Sequence, residues 1–147
     1  MTGDPIIDGL TADLRSDEGV KPSVYQDQFG YWTIGVGRLI DARKGGHLSD
    51  DEIDYLLAND IHDAIADVST WPAWQAVKDD PIRARGFLNM RFQLGHAGLM
   101  GFTHSLDAIA AKSWALAAAG LRASAWYSQT PARAERVIQM ITTGVTP

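Results

Sequence analysis

Apolar positions recur at two different periods along this chain, and the changes of period divide it. Ile6, Ile7, Leu10 and Leu14 fall at helical spacing behind Pro5, which suits a first helical turn, and Gly19 is placed to end that helix. Residues 23–40 instead alternate loosely. Val24, Tyr25, Phe29, Tyr31, Trp32, Thr33, Ile34 and Val36 favour strands, and Gly30, Gly35 and Gly37 break the run, which predicts a small twisted antiparallel sheet. Helical spacing returns after the loop KGGHLSD. Ser49 with Glu52 is a capping-box pattern, and Ile53, Leu56, Leu57, Ile61, Ala64, Ile65 and Val68 carry it over about four turns, the longest helix expected in the chain. From Trp71 onward Pro81, Gly101, Lys112, Gly120 and Pro131 punctuate short helical stretches rich in Ala, Leu and Trp, with no repeat period. The predicted fold is α+β within one domain, residues 1–147. It has a small β-hairpin-containing lobe over about 15–60, a long connecting helix, and a larger helical lobe over about 61–147 joined by the N-terminal helix.

Composition narrows the function classes. With 46% hydrophobic and 21% charged residues, 147 residues can bury one core. A formal net charge of -5 argues against gripping nucleic acid or an anionic membrane through the overall field. The absence of cysteine excludes disulfides and thiolate metal sites and suits a reducing compartment. The opening MTGDPIIDGLTADLR lacks a basic segment followed by a long apolar run, and nowhere do about 18 apolar residues run together, so synthesis in the cytoplasm without membrane insertion is expected.

Two carboxylates change the picture. Glu18 lies four residues beyond Leu14 and eight beyond Leu10, so it continues the apolar stripe of the first helix. One reading is a helix-end Glu frayed into water. The other is a partly desolvated carboxyl kept protonated near neutral pH, as a general acid requires. Asp27, flanked by Gln26 and Gln28 on the predicted hairpin, sits in wetter surroundings that favour the ionised form of a base. Carboxylates in unlike environments suit glycoside hydrolysis.

The segments DEG…VYQDQFGYWTIGVGRL, FLNMRFQLGHAGLMGFTHSL and WYSQTPARAERVIQMITTG follow, in order and over nearly the whole chain, the pattern of the phage-type lysozymes, glycoside hydrolase family 24, and the chain resembles that family. The resemblance implies a muramidase that cleaves the β-1,4 bond between N-acetylmuramic acid and N-acetylglucosamine. It further implies a monomer without cofactor, made in a host cytoplasm and acting on glycan strands of the bacterial wall. In the family the Glu of the EG pair donates the proton, the Asp of the hairpin turn is the second catalytic carboxylate, and the Thr of TIG.G helps hold the attacking water. Those roles fall on Glu18, Asp27 and Thr33. Leu39, Phe92 and Ser105 match substrate-contacting positions, and Arg133 and Arg136 match arginines near the acid, which suggests ion pairs with Asp17 or Glu18. Lytic transglycosylase chemistry and a non-catalytic wall-binding module are the alternatives; Asp27 disfavours the first, and Glu18, Asp27 and Thr33 together argue against the second.

The chain also departs from the family pattern. From Ile40 it passes through DARKGGHLSD directly to the long helix, so the small lobe is shortened, and Gly120 stands where an Asn contacts substrate. Arg38 replaces a His whose partner falls on Asp60, and an Arg38–Asp60 pair is expected. His47, His62, His96 and His104 show no ligand spacing, so no metal is expected. The five tryptophans suit a core better than a sugar-stacking surface.

Overall fold

The computed structural model describes residue 3 and residues 5–17, 19–36, 38, 39 and 48–147; Glu18, Ile40 and His47 lie outside them. Its chain falls into two units, Met1–Asp54 and Tyr55–Pro147. The N-terminal helix falls in the first of these, and the division comes earlier than the expected lobe boundary. Among the described residues no helix is long and apolar enough to cross a membrane.

In the first unit, α1 (Pro5–Asp17) begins at its proline, and Gly19 beyond its end takes a left-handed φ of 74°. That conformation costs glycine nothing and stops the helix. Leu10 and Leu14, expected to face a core, are 53% and 41% exposed. The main core of the chain lies elsewhere, between Val68 and Ile141. Strands β1 (Lys21–Gln26), β2 (Trp32–Gly35) and β3 (Arg38–Leu39) form an antiparallel sheet in that order. Helix α2 (Asp50–Val68) opens on the predicted capping box: Ser49 N donates to Glu52 Oε2 at 2.9 Å, and Glu52 N donates to Ser49 Oγ at 3.4 Å.

The second unit contains the rest of α2, then α3 (Pro72–Val77), α4 (Pro81–Met100), α5 (Thr103–Ala110), α6 (Trp114–Arg122), α7 (Ala125–Gln129) and α8 (Pro131–Thr143). Phe87, Met90, Leu99, Ile109, Leu121, Ile138 and Ile141 are its largest fully buried side chains. Helix α4 spans 20 residues but is two helices joined at a kink, where Gly95 is non-helical at φ 72°, ψ 176°, so the 19-residue α2 is the longest unbroken helix among the described residues. Asp80 caps α4, its Oδ1 accepting from the amides of Ile82 and Arg83 at 3.0 and 3.1 Å. Close packing of α4 on α8 depends on Gly86, where a Cβ would lie 2.9 Å from Met140 Cβ and 3.0 Å from Ile141 Cγ1. Gly120, expected to punctuate, sits inside α6, and the place of its missing Cβ lies 2.7 Å from Ser105 Oγ.

Four of the five tryptophans belong to this core, while Trp32 is half-buried on β2 outside it. Trp74 and Trp126 are buried, Trp71 and Trp114 pack at its margin, and Trp126 Nε1 donates to Gln93 Oε1 at 3.0 Å. Arg122 ties α6 to α8 through Glu135, with Nε and Nη2 each donating to one carboxylate oxygen at 3.0 and 2.7 Å. Those bonds, with a further one from Gln139, hold the Glu135 carboxyl down at about 2.

Candidate active site

The β1–β2 hairpin turns through Gln28, Phe29 and Gly30. Gly30 N donates to Asp27 O at 2.9 Å, Asp27 N donates to Tyr31 O at 2.9 Å, and Gly30 has φ 77°. This is a tight turn closed by a left-handed residue, the common three-residue hairpin loop, and its chemistry requires glycine at the third position. The turn also uses the Asp27 side chain. Oδ1 accepts from Phe29 N at 2.8 Å and from Tyr31 N at 2.9 Å, which fixes the carboxylate against its own loop. Among the described residues no donor reaches Oδ2.

Thr33 sits on the central strand, opposite Tyr25 of β1 and Leu39 of β3. It is 5% exposed, and its Oγ1 donates to Tyr31 O at 3.2 Å. The peptide units at Tyr31 therefore serve both side chains: the amide holds Asp27, and the carbonyl takes the Thr33 proton. With that proton committed, the lone pairs of Thr33 Oγ1 can only accept. Tyr25 lies opposite Thr33, and Asp27 follows two residues after Tyr25 at the mouth of the turn, so the hairpin carries two side-chain acceptors not used by its own backbone, Asp27 Oδ2 and Thr33 Oγ1. Such a pair can orient a water by taking hydrogen bonds from it.

The other sequence candidates are distributed less simply. Glu18, immediately after α1, lies outside the described residues. Arg38 Nη2 pairs with Glu52 rather than with Asp60, which corrects the expected Arg38–Asp60 pair. Glu52 stands in the first turn of α2 beside the end of the sheet, whereas Asp60, about two turns on, is exposed. Glu52 thus joins cap and sheet. The Ser49 amide and hydroxyl, with the Arg38 guanidinium, hold its carboxyl below the usual range against opposing desolvation.

In the second unit Phe92 is 49% exposed and, with Asn89, Arg133 and Arg136, lines a groove of about 420 Å³. Arg133, expected to pair with an acid, donates from Nε to Asn89 Oδ1 at 3.0 Å. Ser105 and Gly120 line a separate pocket of about 470 Å³. Ser105 is 6% exposed, held among the small residues of α5 and α6.

Sequence reasoning missed a cluster on α2 and α4. Asp67 Oδ2 accepts from Arg91 Nε at 2.5 Å, its Oδ1 lies 2.7 Å from His96 Nδ1, and the His96 ring meets Trp71 edge-on at 5.3 Å. Arg91, and then His96, lower the Asp67 pKa against desolvation. Asp67 lies 24 residues from Arg91 and 29 from His96, too far apart for any local pattern to have joined them. Among the described residues no group of three His, Cys, Asp or Glu side chains could hold a metal.

Comparison with known proteins gives this geometry a context. The phage lysozyme family model matches residues 15–138. Probable T4-type lysozyme 1 of Dictyostelium discoideum is 33% identical over 156 residues, covering 89% of this chain and 92% of that protein. The pre-baseplate central spike protein Gp5 of Enterobacteria phage T4 is 34% identical over 157 residues, 89% of this chain but 27% of that protein. The peptidoglycan hydrolase gp36 of Pseudomonas phage phiKMV is 28% identical over 130 residues, 86% of this chain and 14% of that protein. With the family model covering most of the chain and the sheet built around Asp27 and Thr33, this chain belongs to the phage lysozyme family and is a glycoside hydrolase.

Proposed function

We propose that the chain cleaves peptidoglycan at the β-1,4 bond between N-acetylmuramic acid and N-acetylglucosamine, with inversion at the anomeric carbon, and does so for host cell lysis. Glu18 protonates the glycosidic oxygen. Asp27 and Thr33 hold a water on the opposite face of an oxocarbenium-like sugar, Asp27 Oδ2 taking its proton while Thr33 Oγ1 accepts its second hydrogen bond. The observation that carries this reading is the Tyr31 backbone bridge, which leaves one acceptor on each side chain. By the family resemblance, Leu39, Phe92 and Ser105 are assigned to glycan contacts and Arg133 to support of the acid.

A lytic transglycosylase needs no water and would give the paired acceptors nothing to hold. Mass spectrometry of digested peptidoglycan separates the two chemistries. Hydrolysis leaves reducing ends that carry the mass of one water, whereas transglycosylation leaves 1,6-anhydro ends. Glu18→Gln must remove the hydrated products while the protein stays folded. Anhydro products from the native chain, or retained anomeric configuration by NMR, would overturn the mechanism. Similarity to a pre-baseplate central spike protein favours a second biological reading, a virion component, which detection of the chain in purified virions would establish.

A further inference from the structure

The tip of the β1–β2 hairpin carries an aromatic ring that the fold does not require. Phe29 is 67% exposed, although loop positions of this kind ordinarily hold polar residues that cost nothing in water. Its contribution to the turn is made by its backbone, through the amide bonded to Asp27 Oδ1 at 2.8 Å. Any residue other than proline supplies that bond. Among the described residues no aromatic ring or cation stacks on the Phe29 side chain. Phe29 is two residues from Asp27 and its amide holds that carboxylate, so its ring is rooted beside the candidate base.

We propose that Phe29 is a stacking platform for the pyranose ring beside the bond cleaved at Asp27. A pyranose presents one face of C–H groups flanked by hydroxyls, and an aromatic face offers it apolar area and a negative quadrupole together. Stacking there sets where along the glycan the scissile bond stops, so Phe29 acts in binding and register while the proton transfers stay with the carboxylates. The inference rests on the glycosidase reading above and names a substrate contact within the same site.

The test compares Phe29→Ala, Phe29→Leu and Phe29→Trp with the native chain on soluble peptidoglycan fragments. Phe29→Ala should lower kcat/KM about tenfold, mainly through KM, with the melting temperature and the pH profile unchanged. Phe29→Trp should restore it. Phe29→Leu keeps apolar bulk without a π face and should stay close to Phe29→Ala. Kinetics of Phe29→Ala within twofold of native, or full restoration by Phe29→Leu, would overturn the proposal. Binding separates its failure from that of the parent reading. Calorimetry of the same fragments on Asp27→Asn and on Asp27→Asn with Phe29→Ala should show the same tenfold loss without turnover, and equal affinity would again refute stacking. A folded native chain that releases no product would instead refute the glycosidase reading alone.

Discussion

Replacing Asp27 by Asn should separate catalysis from folding, because the two oxygens of that carboxylate have different duties. Oδ1 accepts two backbone amides, at 2.8 and 2.9 Å, and an asparagine carbonyl can accept both. The amide nitrogen then takes the place of Oδ2 and presents donors where an acceptor is needed, so water is neither oriented nor deprotonated. A general base contributes about 10² to 10⁴ in rate, and hydrolysis should fall at least about a hundredfold. Two charge-assisted bonds become neutral ones in a partly solvated loop, which costs about 1 kcal/mol or less. Asp27→Ala behaves differently. It removes the acceptor from both amides, and the half-buried Tyr31 amide is not fully rehydrated, so about 1–2 kcal/mol should be lost locally in addition to activity. Reducing-end release reports the chemistry. Amide hydrogen exchange at residues 29 and 31 reports the turn, with protection kept in Asp27→Asn and lost in Asp27→Ala. Asparagine activity within a few-fold of native would refute the base assignment. Equal loss of protection in both variants would refute the account of Oδ1.

Three further outcomes test other parts of the molecule. Gly30 has φ 77°, so Gly30→Ala should cost about 1–2 kcal/mol and lower kcat by disturbing Asp27, while Gly30→Asn, which tolerates the left-handed region, should recover most of both; identical kinetics in the two variants would show that the turn does not position the carboxylate. Gly86→Ala should destabilise the second unit by about 1–3 kcal/mol in urea unfolding, since its Cβ would meet Met140 Cβ at 2.9 Å, and an unchanged midpoint would mean that α4 and α8 can separate freely. Glu135, held at about 2 against an ordinary 4.5, has a depressed folded pKa, so its contribution is present above pH 4.5 and is lost as pH falls toward 2. The shift would set a ceiling of about 3 kcal/mol, but the side chains of Arg122 and Glu135 are 46% and 30% exposed and screening reduces this to about 1. The stability difference between native and Glu135→Gln should therefore be flat from about pH 6 to 8 and shrink below pH 4, and a gap independent of pH would show that the pair contributes nothing.

The β1–β2 hairpin was legible in the sequence because everything that forms it is local. Alternating residues on either side of Gln28-Phe29-Gly30 set the strands, and a glycine where the loop needs positive φ sets the turn. The same holds for Ser49 and Glu52, whose capping box depends on three residues of separation, and for Pro5 and Gly19 at the ends of α1. Motif order brought out the family, with Asp27 and Thr33 as candidates. Only the tertiary structure decided which partner each long side chain takes. Arg38 meets Glu52 rather than Asp60, Arg133 meets Asn89, and Asp67 gathers Arg91 and His96 from α4. Such choices depend on where separate elements bring flexible side chains together, and no local periodicity records that. The reach of the core is of the same kind: α1 and most of α2 carry helical apolar stripes, yet Leu10, Leu14, Leu56 and Leu57 remain exposed while Ala64 and Val68 are buried. A stripe says which face of a helix is apolar. Whether that face is covered depends on the neighbours that the rest of the chain supplies.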